Sequence, residues 1–315
     1  MYFPFLRGKQ FELIALREIS GINGGYNYIS PIIEPVKKKT ATYDKTIKVL
    51  QGANANFTII VNPHHGDIKN DIDYVCLNLL PPLAYDNFQL GIIVHSKTNL
   101  SYIAEKLNNN GLSNNPIVII LASVNDEGMD DLENFINTFN IKHIVLGSHV
   151  RERRTIIRVV KRLCDSLVTL SDPYNKLSRN KDYAIDTDEF FSEEHLYFSE
   201  EGYIGYSDFL TIGQEYTDKG YSPYAVAIHL TYSSNGDVFR VHHFVSDSND
   251  DTSDVAGKFG EALDKLIPFI NEIELHTLAS NEFRDLNEEG KYPGLGTVKK
   301  LSILNHLELV NNYFS

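Results

Sequence analysis

The sequence contains no tryptophan and only two cysteines, Cys76 and Cys164. The cysteines stand far apart, in no CxxC pair and no cluster. This excludes a disulfide framework and a thiolate metal site, and leaves two buried thiols acting as small hydrophobes. The aromatic content, 18 Tyr and 17 Phe, marks composition and says little about function. Long apolar runs are missing too, and none approaches the roughly 20 residues of a membrane-spanning helix. Positive charge is scarce: 29 Lys and Arg face 42 Asp and Glu, for a formal net charge of -13. That balance argues against nucleic-acid binding through the whole surface, yet leaves room for a local basic patch. In "MYFPFLRGKQFELIALREI" the charges at Arg7 and Lys9 follow the apolar residues, whereas a signal peptide has the reverse order. The expected location is the cytoplasm.

What is present is a rhythm. The 315 residues, 42% of them hydrophobic, suffice for a large core. "YFPFLR" has the character of a strand, and "KQFELIALREI" places Phe11, Ile14, Ala15 and Leu16 at helical spacing before "GINGG" stops it. The apolar runs "YISPIIEPV", "FTIIVNP", "LGIIVHS", "PIVIILAS", "IKHIVLGS" and "SLVTLSD" continue the series. Between them lie the helical patterns "YDKTIKVLQG", "NLSYIAEKLNNNG", "MDDLENFINTFN" and "RERRTIIRVVKRL". The stretch 66–87, around "CLNLLPPLAY", predicts a short helix and a loop. Repeated strand–helix units with short links imply a parallel sheet, and strands apolar throughout imply cover on both faces. An open doubly wound sheet and a closed barrel both satisfy this pattern. The strand count, and the lack of a glycine-rich turn after the first strand, favour the barrel.

The expected fold is therefore α/β: a (β/α)8 TIM-barrel-like domain over 1–315, with an added antiparallel hairpin or meander and C-terminal helices. Residues 173–200 form a polar, acidic insertion. Over 202–246 the stretches "EGYIGYSDFLTIG", "YAVAIHLTY" and "VFRVHHFVS" are expected strands, with "SSNGD" as a hairpin turn between the last two. One of the three should close the barrel. "VAGKFGEALDKLIPFI" and "VKKLSILNHLELVNNYF" are helices by pattern.

Parallel barrels carry their chemistry at the C-terminal strand ends. By position this selects Glu34, His95, Asp172, Asp208 and His229 as acid–base candidates, and Arg7, Lys9, Asn62, Ser148 and His149 as ligand-binding candidates. Polar residues also occur wherever strands meet loops, so each has a structural alternative. Arg7 can hold a carboxylate or phosphate by two prongs. Equally, it can neutralise Glu34, which sits among apolar residues in "SPIIEPV". His229, within the apolar "AVAIHLTY", is either catalytic or a buried, hydrogen-bonded structural histidine. "VNPHHGD" resembles a metal motif at first sight. Adjacent histidines on an extended chain point apart, however, so His64 and His65 are expected in a solvated loop. In "VHHF", His242 and His243 should likewise face opposite ways. No metal and no cofactor is expected.

The strongest positive feature is "GSHVRERRTIIRVVKRL". On one helix Arg151, Arg154, Arg158 and Arg162 share a face opposite Ile156, Val160 and Leu163. Arginines in a first turn oppose the helix dipole and suggest an anionic neighbour. The candidates are the acidic segment "DTDEFFSEE" of the same chain, a nucleic-acid backbone, a phosphate near "GSH", or an acidic partner. "DSNDDTSD" fails as a calcium loop, having Thr252 where glycine is required and Lys258 where a bidentate glutamate is required. It should instead cap the following helix through Ser253 or Asp254. "GLGTVKK" lacks P-loop spacing and serves as a turn into the last helix.

Several stretches taken together, "PFLRGKQFELIAL", "SPIIEPV", "YSDFLTIG" with "SPYAVAIHLTY", "VHHF" and "GKFGEAL", resemble the phage-associated and bacterial Beta-protein family over nearly the whole chain. The resemblance implies a barrel-like fold and a role in phage–host conflict, with a protein partner encoded at the same locus. It carries over no catalytic residues. The expected function is thus an accessory or effector protein that acts on or senses an anionic, phosphate-bearing ligand at the barrel mouth. The alternatives are a partner-binding or sensor subunit without catalysis, and a nucleic-acid-processing factor using the arginine stripe. No membrane association is expected.

Overall fold

Apolar strands alternating with amphipathic helices dominate the computed structural model, which describes all residues except Asn23, Leu83, Ala84, 219–222 and Gly236. In chain order the elements are β1 (Phe5–Leu6), α1 (Gln10–Glu18), β2 (Ile32–Ile33), α2 (Ala41–Gly52), β3 (Phe57–Ile60) and α3 (Ile72–Asn78). Then come β4 (Phe88–Val94), α4 (Leu100–Asn109), β5 (Ile117–Leu121), α5 (Met129–Thr138), β6 (Ile141–Gly147), α6 (Ser148–Arg151), α7 (Arg154–Leu163) and β7 (Leu167–Ser171). The remainder comprises β8 (Asp188–Ser192), α8 (Glu194–Tyr197), β9 (Gly205–Asp208), β10 (Ala227–Ser233), β11 (Phe239–Val245), α9 (Val255–Glu272), α10 (Leu278–Glu289) and α11 (Leu295–Phe314). Among the described residues no helix is long and apolar enough to cross a membrane.

The chain forms two compact units. The first, 1–13, 26–171 and 197–208, holds an eight-stranded parallel sheet in the order β1-β2-β3-β4-β5-β6-β7-β9. Tyr2 bridges both Ile29 and Tyr206, and Phe3 N donates to Tyr206 O at 2.8 Å, so the two sheet edges meet and the barrel is nearly closed. The closing strand is β9, the first of the three sequence candidates. Its Gly205 is required by close approach, because a Cβ there would lie 2.2 Å from Met1 O. Strands β3, β4 and β5 are buried along their full length, with side chains filling the interior on one face and packing under helices on the other. The short helix expected within 66–87 is α3.

The second unit, 14–25, 172–196 and 209–315, is built on an antiparallel sheet, β10-β11-β8. β8 lies inside the segment expected to be a polar excursion. Its "DEFFS" pairs with β11 while leaving Phe190 exposed, a mixed face that gave no apolar signal. Helix α11 packs on β10 and is buried on nearly all sides, so its polar groups find partners inside: Asn305 Nδ2 donates to Thr231 O at 2.7 Å. Buried Lys300 is neutralised by Glu18 at 3.0 Å and Glu282 at 2.8 Å. Asp254 caps α9 through Gly257 N, as the sequence predicts, whereas α11 begins at Leu295, so most of the turn expected in "GLGTVKK" is helical. The turn in "SSNGD", the stop in "GINGG" and the loop in "CLNLLPPLAY" fall partly on Gly236, Asn23, Leu83 and Ala84, outside the described residues.

One helical prediction is corrected. The "RERRTIIRVVKRL" segment is two helices, with Glu152 and Arg153 between α6 and α7. The arginine stripe is shortened by this break.

Candidate functional site

Parallel strands end on a common side, so the residues just past β1, β2, β3 and β4 converge. Arg7, Glu34, Asn62 to His65, and His95 occupy these positions. The Arg7 guanidinium forms an ion pair with Glu34, as its place on the neighbouring strand suggested, and both side chains are buried. Glu34 also accepts from His64 N at 2.7 Å, and His65 Nδ1 lies 3.0 Å from its Oε1. Burial alone would raise the Glu34 carboxyl. The hydrogen bond from His65, the charge of Arg7, the charge of His65 and the His64 amide together bring it down to about 2. Glu34 is therefore a permanent carboxylate with both oxygens engaged, a fixed anchor for the loop after β3.

That loop is folded inward, and the expectation of a solvated "PHHG" is overturned. Asp67 N donates to Val36 O at 2.8 Å and Asn70 N to Pro63 O at 2.7 Å. Gly66 has φ +76°, and a Cβ there would lie 1.9 Å from Val36 O. The turn brings His64 and His65 to half-buried positions. They do point apart: His65 turns to Glu34, and the His64 ring faces that of His95 at 4.8 Å between centroids. Burial, followed by the neighbouring His95, pushes His64 down to about 4. His95 is lowered by burial and then by His65. Both rings are neutral at pH 7. Among the described residues, neither has a hydrogen-bond partner for its ring nitrogens.

A cavity of about 270 Å³ opens beside these two rings, lined by Asn62, His64, Asn70, His95, Lys97, Thr98, Asn99 and Tyr102, with Ile72 and Ile103 as its apolar wall. Asn62 belongs to the cavity wall but spends its amide on β4, donating to Ile93 O at 2.8 Å and accepting from Ile93 N at 2.9 Å. Thr98 Oγ1 accepts from His95 N at 2.9 Å, and Asn99 caps α4 through Tyr102 N at 2.9 Å, which fixes the loop carrying Lys97.

The other sequence candidates lie elsewhere. Asp208 ends β9 and accepts from Tyr2 OH at 2.6 Å, a contact across the barrel seam. Burial, then the Asp208 carboxylate, raises the Tyr2 hydroxyl well above its ordinary value. Ser148 and His149 open α6 and are exposed. Lys9 is half-buried ahead of α1, its carbonyl accepting from Leu13 N at 2.9 Å. Asp172 is exposed and accepts from Gln214 N at 2.9 Å, within the second unit.

His229 requires a correction, because it stands on β10 of the antiparallel sheet and on no barrel strand. Its Nδ1 lies 2.8 Å from His243 Nδ1, among the rings of Tyr174 and Tyr183. Burial, and next the charge of His243, lowers it to about 3, which matches the structural-histidine alternative. The opposed orientation expected in "VHHF" is found: His242 meets Asp188 and Phe269, while His243 meets His229 and Tyr183.

The arginines divide. Arg151, on α6, lies 3.8 Å from Glu201 and over the Tyr203 ring. Arg154, Arg158 and Arg162 are exposed on α7 and form no ion pair with the described residues. Within the acidic segment proposed as their neighbour, Asp188 is held by Tyr232, Arg240 and His242.

Among the described residues no group of three or more His, Cys, Asp or Glu side chains could hold a metal ion. The chain matches no model of a known protein family, and no curated protein matches it. His64, His65, Asn70, Lys97, Thr98, Asn99 and Tyr102 are the polar site residues missed from sequence. For Lys97 the available signal was its place two residues beyond His95. For the histidines it was their position immediately after a strand end.

Proposed function

We propose that the barrel mouth binds a small anionic ligand carrying a phosphate or carboxylate, in the cavity beside His64 and His95. The observation that carries this reading is the pair of facing imidazoles with uncommitted ring nitrogens, next to the Lys97 ammonium and the Asn70 and Asn99 amides. The Arg7–Glu34–His65 set behind them acts as a rigid support, holding the His64 backbone in place. An anion entering this cavity meets donors and an ammonium, and its charge raises the proton affinity of both rings. Binding therefore takes up protons and strengthens as pH falls from about 6.5 toward 4, the value to which His64 is lowered. In the phage–host setting that the family resemblance implies, such a site suits a sensor or effector responding to a phosphorylated small molecule.

Calorimetric titration with inorganic phosphate and with acetate, at pH 5.5 and 7.5, tests this. Tighter binding at the lower pH is expected, with affinity lost in His64→Asn, His95→Asn and Lys97→Ala. Binding unchanged in all three variants, or no binding of either anion, would refute the reading.

A further inference from the structure

Helices α5 and α7 lie side by side on the outside of the barrel. Arg153 ties their N-terminal ends together, reaching Asp126 Oδ1 at 2.6 Å and Val124 O at 2.7 Å. Their exposed faces carry opposite charge. α7 presents Arg154, Arg158, Lys161 and Arg162 and contains no acid. The start of α5 and the turn before it present Asp126, Glu127, Asp130 and Asp131, and α5 contains no base. Asp126 and Lys161 have partners on the molecule, in Arg153 and the Tyr203 ring. The side chains of Glu127, Asp130, Asp131, Arg154, Arg158 and Arg162 have none among the described residues.

The two rows are arranged for reciprocal use. Arg154, Arg158 and Arg162 recur every four residues, a step of about 6 Å along the axis. The cations reach the C-terminal end of α7, and the acids crowd the N-terminal end of α5. If α7 of one molecule runs antiparallel to α5 of another, Lys161 and Arg162 meet the acid row and the helix dipoles oppose favourably. A two-fold axis repeats the same contact with the roles exchanged. We infer that this face forms a two-fold symmetric dimer of the chain, α5 of each protomer lying against α7 of its partner. A nucleic acid fits the face less well. Its phosphates would approach a chain of net charge -13 and would meet the acid row directly beside the arginines. A second copy supplies both signs in the required order.

Sedimentation of the full chain tests the inference. Dimers are expected at low ionic strength, with association weakening at least about tenfold between roughly 0.05 M and 0.5 M salt, as exposed ion pairs are screened. The pair Arg158→Glu/Arg162→Glu should be monomeric, and so should Asp130→Lys/Asp131→Lys. An equimolar mixture of the two variants should dimerise again, because each then offers the other a complementary row at both contacts. Circular dichroism confirms that each variant is folded. A monomeric wild type at low salt overturns the inference. So does a dimer that survives in both variants, or a mixture that stays monomeric. Binding of a single-stranded oligonucleotide by monomeric wild type, abolished by the arginine reversals, would assign the face to nucleic acid instead.

Discussion

Replacing Glu34 by glutamine removes a charge and keeps the shape. Glu34 is fully buried, with Arg7, His65 and the His64 amide around it. Holding its carboxyl at about 2, against the usual 4.5, is worth about 3 kcal/mol at ~1.4 kcal/mol per pH unit. Breaking a buried ion pair by removing one partner gives an independent figure of about 3–5 kcal/mol, because the remaining charge is stranded. Both point to a loss of about 3 kcal/mol at pH 7 in Glu34→Gln, readable by urea unfolding followed by circular dichroism. The sign with pH is fixed. A depressed carboxyl stabilises the fold fully above its unfolded value near 4.5, and that contribution disappears as pH falls toward 2. The gap between wild type and Glu34→Gln must therefore close on acidification through that window. Arg7→Met/Glu34→Gln should recover part of the loss, since neither charge is left buried alone. A cost below about 1 kcal/mol at pH 7, or a gap as wide at pH 3 as at pH 7, would refute the assignment of Glu34 as a charged anchor.

Other consequences are measurable. His229 is held neutral with a proton affinity lowered to about 3, so the unfolded chain takes up its proton first as pH falls below 6.5. The melting temperature of His229→Phe should accordingly fall less steeply than that of wild type between pH 6.5 and 4. Gly66→Ala places a Cβ against Val36 O at positive φ and should cost about 2 kcal/mol or more, with phosphate affinity falling alongside thermal stability. Burial raises the Cys76 thiol to about 11 and raises Cys164 as well. Iodoacetamide at pH 8 should therefore modify Cys76 about a hundredfold more slowly than a thiol of ordinary acidity, until denaturant is added.

The barrel was legible where strands are buried on both faces. "FTII", "FQLGIIV" and "IVIIL" have no polar alternation to confuse, and the first two are followed by helices capped by Asp71 and Asn99. β9 was harder to separate from its competitors, because "GYSD" is held by backbone pairing to residues 1–3 and by the Tyr2–Asp208 contact rather than by an apolar run. β8 was hidden for a related reason, since its Asp188 and Glu189 engage Arg240 and Asn175 while only Phe191 and Ser192 are buried. At the site, strand-end logic found Arg7, Glu34, Asn62 and His95. It discounted His64 and His65 because nothing in "PHHG" reveals that Val36 accepts the backbone of the loop and draws it inward. His229 was misplaced because an apolar strand containing a histidine reads the same in a barrel and in an antiparallel sheet. The break between α6 and α7 was invisible because "RERRT" has strong helix formers on both sides of it.

The seam at Tyr2 joins the two ends of the barrel sheet across a long stretch of chain. Neighbouring barrel strands join residues close in sequence, as Arg7 and Glu34 are 27 apart, whereas Tyr2 and Asp208 are 206 apart. Closing the longer loop costs about 2 kcal/mol more in chain entropy. Chain entropy therefore favours pairing of neighbouring strands over pairing at this joint. Until it shuts, β1 and β9 are bare edges able to recruit a strand from another molecule. The hydroxyl of Tyr2, donating to Asp208, is part of the contact that covers both edges along one line on the barrel.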